Sequence, residues 1–327
     1  MRTWDYFTET QPIASKILLN SIHDGRMSHA YLIQGNRGTG KRALARLLAQ
    51  TIFCSNRDGA EPCQTCNNCQ RISSGNLPDI HWIKPDGQSI KNEQIIQLQH
   101  EFTYLGLESE RKVYVIEDAH TLTVNASNRI LKFLEEPNSN TTAIILTENS
   151  ESIIPTIRSR CQMIDLKPLP REQFQNKLLE KGIPLENLRL ISSLTSDIQE
   201  AFQLNEDKWF AEARKIMVQL IEIYITNPDD AFLFVHEHLL AHFNKRDKQE
   251  RGLDLLMLLF KDIIYFHIED PESMVIFTED DPLLKRALTT FSYERLLDTL
   301  NALLKAKQQL RRNVHPTLVM EQLTLQI

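Results

Sequence analysis

AYLIQGNRGTGKRALARLLAQTIF, Ala30 to Phe53, decides the fold. It opens as a short apolar run, passes through glycines, and closes with apolar residues at helical spacing. A strand that runs through glycines into a helix beginning with lysine is the layout of a phosphate-binding loop, G-x-x-x-x-G-K-[ST]. Gly35, Gly38, Thr39, Gly40 and Lys41 stand in that loop. Its backbone N–H groups wrap phosphate oxygens, the helix N-terminus adds partial positive charge, and Lys41 reaches the outer phosphates. The closing position holds Arg42 where a Ser or Thr would offer Mg²⁺ a hydroxyl. A guanidinium has no acceptor and repels the ion, which argues against Mg²⁺ and against turnover by this chain alone. The bland alternative is a tight strand-to-helix turn made by Gly38 and Gly40. Strand, loop and lysine together favour a bound nucleotide, ATP or ADP.

The surrounding sequence repeats the alternation. DIHWIKP (Asp79–Pro85), KVYVIEDA (Lys112–Ala119) and TTAIILTEN (Thr141–Asn149) read as strands, with helices expected near Asn92–Tyr104 and Ala126–Glu135. Continuous Val/Ile/Leu runs between helices predict a parallel sheet covered on both faces. VYVIEDAH puts Glu117 and Asp118 at a strand end, where a carboxylate would manage Mg²⁺ and the attacking water. Motor ATPases carry Asp then Glu there; here the order is reversed, and a solvated turn is the competing reading. Thr147 ends the next strand, where a polar residue senses a γ-phosphate.

At 327 residues the chain is long enough for two or three domains. Hydrophobic residues make up 42% and charged residues 24%, a globular composition. A net charge of −6 excludes a generally basic coat for DNA, so any nucleic-acid contact is a local patch. The N-terminus has no apolar signal-peptide core, and no run approaches the length of a membrane span, so the expected location is the cytoplasm. From about Pro168 the patterns are helical only: a short segment to about residue 207, then 208–327 with apolar residues every three or four positions.

In a reducing compartment the five cysteines are not a disulfide framework. Cys54, Cys63, Cys66 and Cys69 follow C-x8-C-x2-C-x2-C, a spacing that brings four sulfurs to one tetrahedral metal. Thiolates in that number select Zn²⁺. No coordination position is left for water or substrate, so the metal would be structural; an iron–sulfur cluster and four free thiols are the alternatives. Cys161 lies far along the chain and reads as a small buried hydrophobe. Thr147–Leu166 otherwise reads as a strand end followed by a helix ending in Ser159-Arg160-Cys161. From spacing alone Arg160 is a surface arginine in an ordinary ion pair; the alternative is an arginine reaching a phosphate on a neighbouring subunit.

Taken together, the loop, the cysteine insertion, LKFLEEPN (Leu131–Asn138) and the Ser-Arg-Cys triplet resemble the clamp-loader AAA+ subunits of bacterial DNA polymerase III. PDGQSIKNEQI (Pro85–Ile95) and the ending NVHPTLVMEQLTLQI resemble Gram-positive members that act as stators and not motors. The resemblance spans essentially the whole chain. It implies a RecA-like AAA+ domain over 1–167 with a zinc module at 54–69, a helical lid over 168–207, and an all-α collar over 208–327. It also implies a pentameric ring with tau/gamma and delta subunits that binds ATP, opens the sliding clamp and loads it onto primer-template DNA. Arg160 would then be an arginine finger acting in trans on the adjacent motor. Motor subunits carry Lys-Ser or Lys-Thr in the loop, an Asp-Glu pair and a lid arginine. This chain has Lys41-Arg42, Glu117-Asp118 and no arginine from Ile191 to Leu204. An active motor of tau/gamma type and a stand-alone zinc-dependent DNA-binding protein are the competing functions.

Overall fold

A computed structural model describes residues 3–87, 89–103, 109, 111–136, 140–277, 281–312 and 314–327. The chain divides into two compact units, Met1–Pro170 and Arg171–Ile327.

The first unit contains β1 (Ala30–Gln34), β2 (Ile80–Ile83), β3 (Lys112–Ile116), β4 (Thr141–Thr147) and β5 (Gln162–Asp165), with helices α1 (Trp4–Thr10), α2 (Pro12–His23), α3 (Lys41–Phe53), α4 (Asn67–Ser74), α5 (Asn92–Thr103), α6 (Val124–Glu135) and α7 (Pro155–Arg158). The strands are parallel, in the order β2-β3-β4-β1-β5. Alternation of side chains sends Tyr31, Ile33, Val113, Val115, Ile144 and Leu146 to one face, against Phe7, Leu18, Leu44 and Leu48. Leu32, Tyr114, Ile116 and Ile145 go to the other, against Ile95, Leu98, Ile130 and Ile157. Both faces are buried, which is why the strands read as unbroken apolar runs.

The register places the C-terminal ends of β1, β3 and β4 on one edge: Gln34 lies beside Thr147 and Ile116 beside Ile145. In a parallel sheet that edge is where ligands bind. The pattern Thr147–Leu166 differs from expectation. The helix is shorter and ends at Arg158, and Gln162–Asp165 form β5 at the sheet's edge. Of those four residues only Ile164 is buried, too little apolar signal to read as a strand. Four expected features include residues outside the described ones: Tyr104 of the helix expected near Asn92–Tyr104, Pro137 and Asn138 of LKFLEEPN, Gln88 of PDGQSIKNEQI, and Asn313 of NVHPTLVMEQLTLQI.

The second unit is helical throughout its described residues: α8 (Arg171–Glu180), α9 (Leu185–Leu194), α10 (Ile198–Glu206), α11 (Lys208–Thr226), α12 (Ala231–Phe234) continuing through a π-turn into α13 (Leu240–His242), α14 (Arg246–His267), α15 (Pro282–Thr290), α16 (Tyr293–Arg311) and α17 (Pro316–Gln326). Buried Asp262 of α14 accepts three backbone N–H bonds, from Val275, Ile276 and Phe277, at 2.7 to 3.0 Å, and so holds the loop after α14 in place. Gly252 lets α14 approach its neighbours closely: a Cβ there would lie 2.8 Å from Met217 Cε and from Phe243 Cε1. Gly252→Ala is expected to destabilise this unit by about 1–3 kcal/mol through overpacking, despite the better helix propensity of alanine. A lower urea midpoint with an unchanged m-value is the expected readout. Among the described residues no helix is long and apolar enough to cross a membrane.

Candidate functional site

Two clusters of predicted site residues assemble in the first unit. The first is the loop after β1. Gly38 and Gly40 have φ of +83° and +94°, conformations that L side chains rarely adopt. At Gly35 the demand is space: a Cβ would lie 2.6 Å from the Leu166 carbonyl oxygen and 2.7 Å from Thr39 Oγ1. Gly35 N–H donates to the Thr147 carbonyl at 3.2 Å, stitching the loop to β4. Thr39 Oγ1 donates to the Asn36 carbonyl at 2.8 Å. Lys41 Nζ donates to the carbonyls of Gly35 at 2.6 Å and Asn36 at 3.0 Å, which curls it over the loop that it begins. Burial pulls the Lys41 pKa below its usual value; the carboxylates of Glu148 and Asp118 pull the other way.

Arg42 leaves this loop. Its Nε lies 2.9 Å from Glu117 Oε1, and its guanidinium sits over the Trp82 ring of β2 at 5.7 Å from the centroid. The Glu117 side chain is 13% exposed. Its Oε1 makes no angularly acceptable hydrogen bond, so the contact with Arg42 is an ion pair held by proximity and charge. Burial raises the Glu117 pKa, and Arg42 and Lys84 oppose that rise. Asp118, with φ of +49°, turns the chain out of the strand, and its carbonyl accepts from Thr121 Oγ1 at 2.8 Å. Thr147 is fully buried, and its hydroxyl donates to the Asn149 carbonyl at 2.9 Å, so it shapes the turn after β4.

The second cluster is the cysteines. Cys54 caps the end of α3, Cys66 caps the start of α4, Cys69 lies in the first turn of α4, and Cys63 precedes them in the loop. Their four Sγ atoms lie within 4.8 Å of one another. Cys54 Sγ is 3.5 Å from Cys63 Sγ and 3.9 Å from Cys66 Sγ. Zn–S bonds of about 2.3 Å in a tetrahedron require S–S edges of about 3.8 Å, so the donor set and its spacing fit the ion. Backbone N–H groups of Cys63 and Cys66 point at Cys54 Sγ and Cys63 Sγ, each at 3.3 Å. Burial works against the Cys66 thiolate, yet hydrogen bonds involving Cys69 and Ser55 bring it down to about 6. Burial drives the Cys69 thiol up. Cys161 stands apart from this group, and burial pushes its thiol up to about 12.

Arg160 lies between α7 and β5. Its Nη2 is 2.8 Å from Glu135 Oε1 at the end of α6, and its Nη1 donates to the Thr156 carbonyl at 2.9 Å. The two side chains are 35% and 48% exposed, so the pair faces solvent. Trp82 and Glu135, which receive Arg42 and Arg160, were not singled out from sequence. The signal for Glu135 was its place in LKFLEEPN; Trp82 gave none beyond its strand.

A family model described as DNA polymerase III, delta subunit, matches residues 10–170, and the model of that subunit's C-terminal region matches 236–327. DNA polymerase III subunit delta' of Bacillus subtilis is 39% identical over 325 residues, 99% of this chain and 98% of the relative. The chain belongs to the delta' family of DNA polymerase III clamp-loader subunits. The same AAA+ relationship extends to the tau subunit of Escherichia coli K12, 37% identical over 162 residues, 49% of this chain and 25% of that protein. A gamma-subunit-related protein of DNA polymerase III from Thermotoga maritima has the same fold at TM-score 0.53 and 15% identity, covering 96% of this chain and 97% of that one.

Proposed function

We propose that this delta' chain is the stator of its clamp loader. It would occupy a pentameric ring with tau/gamma and delta subunits and assist ATP-dependent loading of the sliding clamp onto primer-template DNA in the cytoplasm. It would turn over little or no ATP itself. The Arg42–Glu117 ion pair carries this reading. The residue that would lend Mg²⁺ a hydroxyl is a cation, and the carboxylate that would hold the ion is already neutralised by it. The loop from Gly35 to Lys41 keeps the backbone shape that cradles phosphate, so it holds a nucleotide, ATP or ADP, as a static element. Thr147, with its hydroxyl committed to Asn149, contributes shape to that site and not a sensor.

The same reading assigns residues 1–167 to the AAA+ domain, 168–207 to a lid and 208–327 to the collar through which the ring forms. Zn²⁺ on Cys54, Cys63, Cys66 and Cys69 staples the insertion. Arg160 is an arginine finger for the neighbouring motor subunit: its counter-ion is exposed, and an exposed pair is worth only about 0–1 kcal/mol, so it releases the guanidinium cheaply.

A motor of tau/gamma type is the second reading, favoured by the intact Gly35–Lys41 loop. Steady-state ATP hydrolysis by the purified chain with primed DNA separates the two. The stator reading expects a rate at least about a hundredfold below the median enzyme turnover of about 10 s⁻¹. Turnover at motor rates would overturn it.

A further inference from the structure

Arg42 is oriented in a way that neither a hydrolytic loop nor a simple defect explains. Its side chain is 55% exposed, yet the guanidinium turns to Glu117 at the end of β3, at 2.9 Å, and stands over the Trp82 ring at 5.7 Å from the centroid. Arg46, one turn along α3, and Lys84, just beyond β2, add positive charge around the same carboxylate. Mg²⁺ entering there would have to displace Arg42 from a carboxylate only 13% exposed and remain beside Arg46 and Lys84. The loop hydroxyl, Thr39 Oγ1, packs against Gly35 and is directed to the Asn36 carbonyl, within the loop and not at position 42, from which a hydroxyl would meet the ion. The residues present do not fit the ion.

We propose that Arg42 is a built-in cation standing where Mg²⁺ would stand, so that the Gly35–Lys41 loop takes the metal-free nucleoside di- or triphosphate. This inference rests on the reading that the loop holds a nucleotide; what it adds is the ionic form that is bound. The free nucleotide carries more negative charge than its Mg²⁺ complex, and that charge meets Lys41, the helix N-terminus and the Arg42 guanidinium without a divalent bridge. The ion pair also ties the start of α3 to the end of β3, as a static element requires.

The test is equilibrium binding of a fluorescent ATP analogue to the full chain, with unlabelled ATP, ADP and inorganic phosphate as competitors. Mg²⁺ is varied between millimolar and none, using buffer cleared by a resin so that no free chelator strips the cysteine site. Wild-type affinity for ATP is expected to agree within about twofold in the two buffers. Arg42→Ser, which removes the cation and restores a hydroxyl beside a freed Glu117, is expected to make binding at least about tenfold tighter with Mg²⁺ than without. Arg42→Gln, which keeps much of the length without the charge, is expected to lose about tenfold in metal-free affinity. Wild-type binding that strengthens tenfold with Mg²⁺ overturns the inference and leaves the nucleotide reading standing. So does an Arg42→Ser chain that stays indifferent to Mg²⁺. No binding of ATP or ADP in either buffer removes the nucleotide reading itself, and the inference with it.

Discussion

Replacing Arg160 with alanine is expected, on the arginine-finger proposal, to leave this chain folded and assembled while abolishing hydrolysis at one neighbouring ATP site. The structural cost is small. Arg160 pairs with Glu135 at the protein surface and donates to the Thr156 carbonyl, and an exposed pair of this kind contributes about 0–1 kcal/mol. The catalytic cost is large, because a guanidinium placed against transferring phosphate is worth roughly 10³–10⁵ in rate. Total ATPase of the reconstituted complex with clamp and primed DNA should therefore fall by that site's share, with no change in gel-filtration position. Arg160→Lys should behave like alanine, since an ammonium lacks the planar fork. Glu135→Gln is the control: it removes the surface counter-ion but keeps the arginine, and should retain most of the activity. Unchanged ATPase in Arg160→Ala complexes would leave Arg160 as nothing more than the partner of Glu135.

The contrast between the two arginines explains how far the sequence could be read. The loop was legible because its demands are local: Gly38 and Gly40 need positive φ, Gly35 needs closeness to Leu166, and Lys41 must follow at the helix start. The cysteine cluster was legible for the same reason, since C-x2-C turns fix the distance between sulfurs. β1, β3 and β4 were legible because burial on both faces leaves unbroken apolar runs. β5 was not, having one buried residue among four. Nor were the partners of Arg42 and Arg160. Glu117 and Trp82 reach Arg42 only because β2 and β3 lie side by side, and Glu135 reaches Arg160 only through the contact of α6 with the end of α7. Thr147 stands at a strand end as expected, and its hydroxyl closes a local turn with Asn149, two residues on. Long-range pairs such as Arg42 with Glu117 and Arg160 with Glu135 decide whether a motif is chemistry or scaffold, and spacing does not encode them.

Loss of the proposed Zn²⁺ is expected to cost more than any single surface change, because the insertion between α3 and α4 also contacts α1. Trp4 is 3% exposed, and its Nε1 donates to Thr51 Oγ1 and to the Ala60 carbonyl, each at 3.0 Å; its backbone N–H donates to Glu61 Oε2 at 3.0 Å. Ala60 and Glu61 belong to the loop between Cys54 and Cys63, so α1 is docked onto the segment that the proposed Zn²⁺ would hold. Structural zinc contributes about 10–16 kcal/mol in isolated zinc-finger peptides. Here the sheet keeps its own core, and only the insertion and the α1 contacts depend on the ion, so a loss of about 3–5 kcal/mol is expected. For a unit of this size that is a fall of about 10 °C in the melting temperature. Cys66→Ser, or exhaustive chelation, should release about one zinc per chain and expose Trp4 to quencher, while Cys161→Ser should do neither. Elemental analysis that finds no zinc in metal-replete protein would end the zinc assignment. Zinc loss without any change at Trp4 would confine its role to the loop, and the docking of α1 would then rest on Thr51 and the buried face of Phe7 instead.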